Sequence, residues 1–219
     1  MKLCDVHYKA LMIDDTEIVG DSPLNIETIK TLLKHRGYSV DIDFHQFKNV
    51  GRLTEYLKHN DDYDLILFDV ILEMRNGNED FNALSDSLSS YKEKNRLTKT
   101  ILFTSLVEEH SLKGPDIRVS GSLILNWINH YRINGLCARD DKVIAELISR
   151  CIEEIDPITM NLISILDSYQ NHKQKFIIGG SSFSTRELIH HIRAQSDVGK
   201  EFVAGLTRMM IARYTEPTD

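Results

Sequence analysis

The chain has 219 residues, of which 42% are hydrophobic and 27% charged, and this balance is typical of a globular protein and not of a disordered one. A formal net charge of −7 argues against a surface built mainly for nucleic acid, which requires a clustered excess of Lys and Arg. No apolar run approaches the roughly 20 residues that cross a bilayer, no secretory signal is visible, and three widely spaced cysteines suit a reducing compartment, so we expect a cytoplasmic protein without a membrane span.

Short, β-rich apolar runs alternate with helix-period segments from Ala10 to about Ile155. This alternation predicts an α/β fold, in which a parallel sheet is covered by helices on both faces. Asp41 and Asp43 alternate with apolar residues, so the second run predicts an edge strand with one wet face. The five predicted strands are Ala10–Ile13, Ser39–Phe44, Leu65–Phe68, Thr100–Phe103 and Gly135–Ala138.

The segments between and after these strands carry apolar residues at helical spacing. The last segment is the clearest, because one apolar stripe recurs every three or four residues along it. The five predicted helices are Asn25–His35, Val50–His59, Phe81–Lys94, Gly121–Tyr131 and Asp141–Ile155.

Pro157 predicts a boundary, because proline is tolerated only in the first turn of a helix and its predecessor avoids helical geometry. We therefore expect a first domain over residues 1–156 and a small all-α module over residues 157–219. Ser184 and Glu187 have the spacing of a capping box at a helix start within this module. The predicted helices of the module run over 158–169, 185–195 and 198–214, with a loop at residues 179–182.

Carboxylates follow two of the predicted strands. Asp14 and Asp15 come at the end of the first strand, and Asp69 comes at the end of the third. In an open parallel sheet the carboxyl ends of the strands form the edge where ligands bind, so we expect these three side chains to converge. A cluster of oxygen ligands without His or Cys suits a hard cation, and Mg²⁺ is the expected occupant.

The order of these motifs resembles the receiver domain of bacterial response regulators over about residues 9–155. The matching segments are Leu11-Met12-Ile13-Asp14-Asp15, Leu65-Ile66-Leu67-Phe68-Asp69-Val70, Ile101-Leu102-Phe103-Thr104-Ser105 and Gly135-Leu136-Cys137-Ala138-Arg139-Asp140. The resemblance implies a five-stranded, parallel, doubly wound sheet of the flavodoxin-like kind. It further implies that Asp69 is the phosphoacceptor, that Asp14 and Asp15 help to hold Mg²⁺, and that Thr104 senses the phosphoryl group. Its phosphodonor would be a histidine kinase or a phosphotransfer protein.

Two positions depart from the family pattern. Arg139 stands where the family has a Lys that pairs with the acceptor carboxylate, and the two side chains differ in shape and hydrogen bonding. Leu136 stands where the family has an aromatic switch residue. These departures leave open a pseudo-receiver, which would keep the fold as a protein-binding scaffold without phosphotransfer. The segments Thr16–Leu24 and Ser105–Ser120 are also longer than the family's usual loops.

The C-terminal module has nearly balanced charge, which offers no strong phosphate-binding stripe. Nucleic acid is therefore not the expected partner. DNA binding by a transcriptional regulator remains an alternative, because Ser196-Asp197-Val198-Gly199 separates two predicted helices as in a helix-turn-helix motif. The module carries more apolar side chains than a short helical hairpin can bury, which predicts an interaction or dimerisation element. We accordingly expect a signalling protein, not a metabolic enzyme, that forms a homodimer or binds a downstream protein.

Overall fold

The structure is a computed structural model, and it describes residues 6–14, 24–35, 40–47, 50–60, 62–69, 88–104, 107–108, 116–117, 121–169 and 174–214. The chain divides into two compact units. Unit 1 comprises residues 1–92 and 98–155, and unit 2 comprises residues 93–97 and 156–219. Unit 2 thus includes a short segment from the middle of the first predicted domain, which the sequence did not suggest.

Unit 1 contains a five-stranded sheet in which every neighbouring pair of strands is parallel. Its strands lie in the order β2-β1-β3-β4-β7, which is the flavodoxin-like order, and this confirms the predicted fold class. The strands are β1 (Val6–Ile13), β2 (Val40–Phe47), β3 (Leu65–Asp69), β4 (Lys99–Thr104) and β7 (Gly135–Ala138).

The strands were predicted from apolar runs, and their ends differ where polar residues continue the pairing. β1 begins at Val6, four residues before the predicted start, because residues 6–9 pair in register with the polar-alternating start of β2. β2 lies at the edge of the sheet, with Asp41 and Asp43 exposed and Ile42 buried, so the predicted edge strand is confirmed. All five residues of β3 are buried, as expected for a strand covered on both faces.

Helices α1 (Ile26–His35), α2 (Val50–His59), α4 (Gly121–Tyr131) and α5 (Asp141–Glu154) lie within unit 1, and α1 packs against α5. Residues 88–94 form the described part of a further helix, α3, and the rest of its predicted range lies outside the described residues. Asp140 caps α5 by accepting hydrogen bonds from the backbone N–H groups of Lys142 and Val143. Between β4 and α4, two-residue strands β5 (Val107–Glu108) and β6 (Asp116–Ile117) pair antiparallel.

The core of unit 1 combines apolar residues of the strands with aromatic residues of the helices. Trp127 of α4 and Tyr91 of α3 are each 1% exposed and belong to one cluster with Leu11, Ile66 and Leu102. Burial of this cluster holds the helices against the sheet, so the strands that carry the polar residues at the sheet's carboxyl edge have a rigid support.

Unit 2 contains α6 (Pro157–Ser168), a β-hairpin of β8 (Lys175–Ile178) and β9 (Ser181–Ser184), then α7 (Thr185–Arg193) and α8 (Asp197–Tyr214). The capping box at Ser184 and Glu187 is present, and hydrogen bonds from Ser184 lower the pKa of Glu187. The sequence predicts an all-α module, and the β8–β9 hairpin shows that this prediction is wrong. The two strands of the hairpin join at Gly179 and Gly180, whose positive φ angles of 55° and 83° suit a tight turn.

The short length of these strands explains why the hairpin was missed. Each has only four residues, and the sequence predicts only a loop at residues 179–182. Phe176 of β8 contacts the ring of Phe202 of α8 edge-on, at a centroid distance of 5.7 Å, so the hairpin is packed against the helices of unit 2. In the part of the chain that the structure describes, no helix has the length and apolar character of a membrane span.

Candidate functional site

Three polar side chains meet at the carboxyl edge of the unit 1 sheet. Asp14 directly follows β1, Asp69 is the last residue of β3, and Arg139 directly follows β7. Ile13 pairs with Phe68 in the sheet register, so the next residues of the two neighbouring strands are Asp14 and Asp69. The parallel topology therefore brings the two carboxylates together, as the sequence predicted.

Arg139 joins the two carboxylates through its guanidinium group. Its Nη1 donates to Oδ2 of Asp69 at 2.7 Å, and its Nη2 donates to Oδ2 of Asp14 at 2.9 Å. All three side chains are buried: those of Asp14, Asp69 and Arg139 are 0%, 1% and 5% exposed. Charge-assisted hydrogen bonds of this kind are strong where water is excluded. We call this group of Asp14, Asp69 and Arg139 the acidic site.

Phe103 supports the guanidinium group from the neighbouring strand β4. The carbon at the centre of the guanidinium lies 5.8 Å from the ring centroid, a distance at which a cation is attracted to an aromatic face. Phe103 is fully buried and pairs with both Asp69 and Cys137 in the sheet register. The sequence does not indicate this role, because a phenylalanine within an apolar strand gives no signal beyond core packing.

The backbone near Asp14 is fixed by the edge strand. The N–H group of Asp14 donates to the carbonyl oxygen of Phe47, the last residue of β2, at 3.1 Å. This bond continues the ladder between β1 and β2 by one residue and holds the Asp14 side chain at the sheet edge. The position of the carboxylate thus depends on two strands.

The other predicted site residues are only partly described. Asp15 lies outside the described residues, as do most of the two long segments. Thr104 ends β4 and pairs with Ala138, so its main chain lies one register position from Arg139. Leu136, in place of an aromatic switch, is packed against the core cluster of unit 1. The Arg139 side chain is buried in the acidic site and does not point into solvent.

The donor set suits a hard cation in its chemistry. The two buried carboxylates beside Arg139 offer oxygen atoms, which hard cations prefer as ligands. No group of three or more metal-binding side chains occurs among the described residues, which do not include Asp15. The residues that could hold Mg²⁺ are therefore Asp14 and Asp69, with Asp15 as the expected third ligand.

The buried cysteines offer no competing reactive site. Burial, and next the charge of Asp140, raise the pKa of the Cys137 thiol to about 12. Burial and next the charge of Glu154 raise the pKa of Cys151 to about 11, although Lys99 and Lys92 act in the opposite direction. Both thiols thus stay protonated near neutral pH, and a protonated thiol is a poor nucleophile.

Comparison with known proteins finds similarity only among solved structures, since no family model and no curated protein matches. A CheY-like receiver domain protein from Methanospirillum hungatei JF-1 is 14% identical, covers 67% of this chain and 94% of its own, and gives a TM-score of 0.42. A LuxR family DNA-binding response regulator from Silicibacter pomeroyi is 18% identical, covers 67% and 92%, and gives 0.41. DrrB of Thermotoga maritima, an OmpR/PhoB homolog, is 10% identical, covers 86% and 88%, and gives 0.38. Identities and TM-scores this low carry no argument about function.

Proposed function

We propose that this chain is a receiver-like signalling protein, which accepts a phosphoryl group on Asp69 with the help of Mg²⁺ and transmits its state through the C-terminal module. The observation that carries the proposal is the buried bridge of Arg139 between Asp69 and Asp14 at the carboxyl edge of a flavodoxin-like sheet. A cation so placed can pair with the acceptor carboxylate before transfer and with the phosphoryl group after it.

The transfer itself requires one nucleophile and one leaving group. A carboxylate oxygen of Asp69 attacks the phosphorus atom of a phosphohistidine, the bond between phosphorus and nitrogen breaks, and the nitrogen keeps the electron pair. Mg²⁺ bound by the carboxylates would offset the negative charge of the phosphoryl group during this step. Arg139 holds Asp69 in one orientation, and the backbone bond of Asp14 to Phe47 holds the second carboxylate beside it.

Acetyl phosphate tests the proposal, since it is a phosphodonor that needs no kinase. After incubation of the whole chain with acetyl phosphate and Mg²⁺, we expect intact-mass spectrometry to detect the addition of one phosphoryl group. Asp69→Asn removes the nucleophile and should abolish this addition. Asp41→Asn is the matched control, because Asp41 is an exposed carboxylate on the same sheet, and it should be labelled like the wild type. An unmodified wild type, or labelling of Asp69→Asn, would contradict the proposal.

A second candidate is a pseudo-receiver, a protein-binding scaffold without phosphotransfer. The packing of Leu136 into the core favours it, because a residue held there is not an aromatic side chain able to swing between two positions. Under this alternative, partners captured from a lysate on the immobilised whole chain should be the same for wild type and Asp69→Asn, and the wild type should remain unlabelled by acetyl phosphate.

The partners follow from the same proposal. A histidine kinase or a phosphotransfer protein would supply the phosphoryl group, and unit 2 would bind a downstream protein or a second copy of the chain. Exposed apolar side chains on α8, namely Met209, Met210 and Ile211, support an interaction role for unit 2. A cytoplasmic location and the absence of nucleic acid partners stay predictions of the sequence.

A further inference from the structure

Arg139 differs from the lysine expected at its position in how its positive charge and its N–H donors are distributed. A lysine ammonium is a point charge on a flexible stem, whereas a guanidinium presents parallel N–H groups in a rigid plane. In the acidic site, that plane spans both carboxylates at once and rests near the face of Phe103. One side chain therefore hydrogen-bonds two acids at once in a buried environment.

This arrangement has a consequence for metal binding. Two buried carboxylates side by side repel each other, and a cation between them removes that repulsion. A divalent metal usually supplies this charge where only carboxylates are present. Here Arg139 already supplies positive charge, and it engages Oδ2 of both Asp14 and Asp69. A bound metal must therefore either displace these hydrogen bonds or bind through the Oδ1 atoms, and in both cases it must tolerate a second cation beside it.

We propose that Arg139 is a built-in counterion of the acidic site, which keeps Asp14 and Asp69 together without metal and weakens the binding of divalent cations there through its two-pronged hydrogen bonding. The identity of residue 139 then sets how strongly phosphoryl transfer depends on Mg²⁺. The inference deepens the proposed function and rests on it for the choice of Mg²⁺, although cation binding is measured without any phosphodonor.

The test compares three side chains at position 139 in the whole chain. Mn²⁺ serves as the probe, because its electron paramagnetic resonance signal falls when it binds protein. We expect weak binding by the wild type and roughly tenfold tighter binding by Arg139→Lys, which keeps the positive charge but lacks the planar pair of donors. Arg139→Gln removes the charge as well and should bind Mn²⁺ at least as tightly as Arg139→Lys.

The control is an arginine that pairs with a single exposed carboxylate. Arg150 lies on α5 and donates to Glu146 at 2.8 Å, with its side chain 65% exposed. Arg150→Lys should leave Mn²⁺ binding unchanged. Fluorescence of Trp127, the one tryptophan in the sequence and a buried member of the unit 1 core, shows whether each variant is folded.

A thermal measurement provides a second readout. A ligand that binds only the folded state stabilises it by an amount that grows with the logarithm of the ratio of ligand concentration to Kd. The same excess of Mg²⁺ should therefore raise the melting temperature of Arg139→Lys more than that of the wild type. If Arg139→Lys binds Mn²⁺ no more tightly than the wild type, the inference is overturned. It is overturned without any variant if the wild type binds Mn²⁺ at roughly micromolar concentration.

These outcomes are separate from those of the phosphorylation experiment. A chain that is not labelled by acetyl phosphate but shows the expected order of Mn²⁺ affinities would contradict the proposed function and support the counterion. A chain that is labelled at Asp69 but shows equal affinities would support the function and overturn the counterion.

Discussion

Arg139 and Lys92 illustrate two ways in which unit 1 buries a positive charge. Arg139 donates to two carboxylates, so its charge is compensated where it lies. Lys92 instead donates through Nζ to the main-chain carbonyls of Tyr131 and Arg132, at 2.7 Å and 2.8 Å, where α4 ends. These carbonyls carry only partial negative charge, which compensates an ammonium group less well than carboxylates do. Burial, and next the charges of Lys99 and Arg132, accordingly lower the pKa of Lys92 to about 8.

The pKa of Lys92 predicts how the stability of unit 1 depends on pH. Its ordinary value, which applies to the unfolded chain, is 10.5, so between about pH 8 and 10.5 the unfolded chain binds more protons than the folded one. The free energy of unfolding should therefore rise with pH across this window, by at most about 3 kcal/mol from this residue. Urea unfolding followed by Trp127 fluorescence measures this rise.

Substitution isolates the contribution of Lys92 from that of other groups. Lys92→Met lacks the titrating amine and should show a flatter dependence of stability on pH than the wild type. Lys142→Met, at an exposed position of α5, should follow the wild type. Identical slopes for Lys92→Met and the wild type would show that burial of Lys92 does not disfavour its charged form.

The sequence predicts the approach of Asp14 to Asp69 because their positions depend on topology. In a parallel sheet, residues that directly follow neighbouring strands converge, and this rule requires no knowledge of side-chain packing. Arg139 is different, because only the resemblance to receiver domains implies its place at the site, where the family has a Lys. The direction of the Arg139 side chain and its contact with Phe103 depend on how buried side chains fill space across three strands, which local sequence does not encode.

Helix α8 approaches the backbone of helix α7 closely at Gly199. A Cβ atom at this position would lie 2.2 Å from the carbonyl oxygen of His191 and 2.8 Å from the backbone N of Ile192. Both atoms belong to the α7 backbone, which cannot move aside as a flexible side chain could. The lack of a side chain at residue 199 is therefore a requirement of the packing in unit 2.

Gly199→Ala should destabilise unit 2 for this reason. We expect a loss of about 2 kcal/mol or more in the free energy of opening, since overpacking against backbone forces the helices apart. Amide hydrogen exchange in α7 and α8 measures this quantity.

Gly205→Ala is the matched control in the same helix. A Cβ atom there meets nothing within 4 Å, so only helix propensity changes, and stability should increase by about 0.5–1 kcal/mol. Equal effects of the two substitutions would contradict the close approach of α7 to α8.

At the scale of the elements, the sequence predicted helices and strands where one physical signal dominates. Val50–His59, Gly121–Tyr131 and Gly135–Ala138 have the predicted ends. Elements with short or mixed signals were harder to predict. The β8–β9 hairpin consists of four-residue strands, and its stability depends on a packing partner, Phe202 on α8, that lies far away in sequence.

At the scale of the whole molecule, the chain passes between the two units more than once. It enters unit 2 after Lys92, returns to unit 1 at Thr98, and enters unit 2 again after Ile155. Within unit 2, Asn95 is buried, and the N–H group of Arg96 donates to the carbonyl oxygen of Arg193 at the end of α7, at 2.9 Å. A boundary predicted from Pro157 alone does not assign residues 93–97 to the second unit. A segment of five residues is too short to change the composition or the periodicity of the sequence.

Residues 93–97 offer a covalent route from the acidic site to unit 2. They lead directly into β4, which pairs with β3 along its length, so that Asp69 lies opposite Phe103. The Thr98 hydroxyl donates to the carbonyl oxygen of Tyr63, just before β3. The N–H group of Lys99 donates to the carbonyl oxygen of Asp64. If the proposed phosphorylation changes β3 or β4, the change would act on a chain segment in which Arg96 donates a hydrogen bond within unit 2.

We therefore expect acetyl phosphate and Mg²⁺ to change amide hydrogen exchange in residues 93–97 and in α7, where Arg193 accepts the bond from Arg96. Mass spectrometry of peptides from these regions measures the effect, with Asp69→Asn as the control in which both regions should exchange as in untreated protein. A labelled wild type whose exchange is unchanged in residues 93–97 would show that the phosphoryl state does not reach unit 2 by this route.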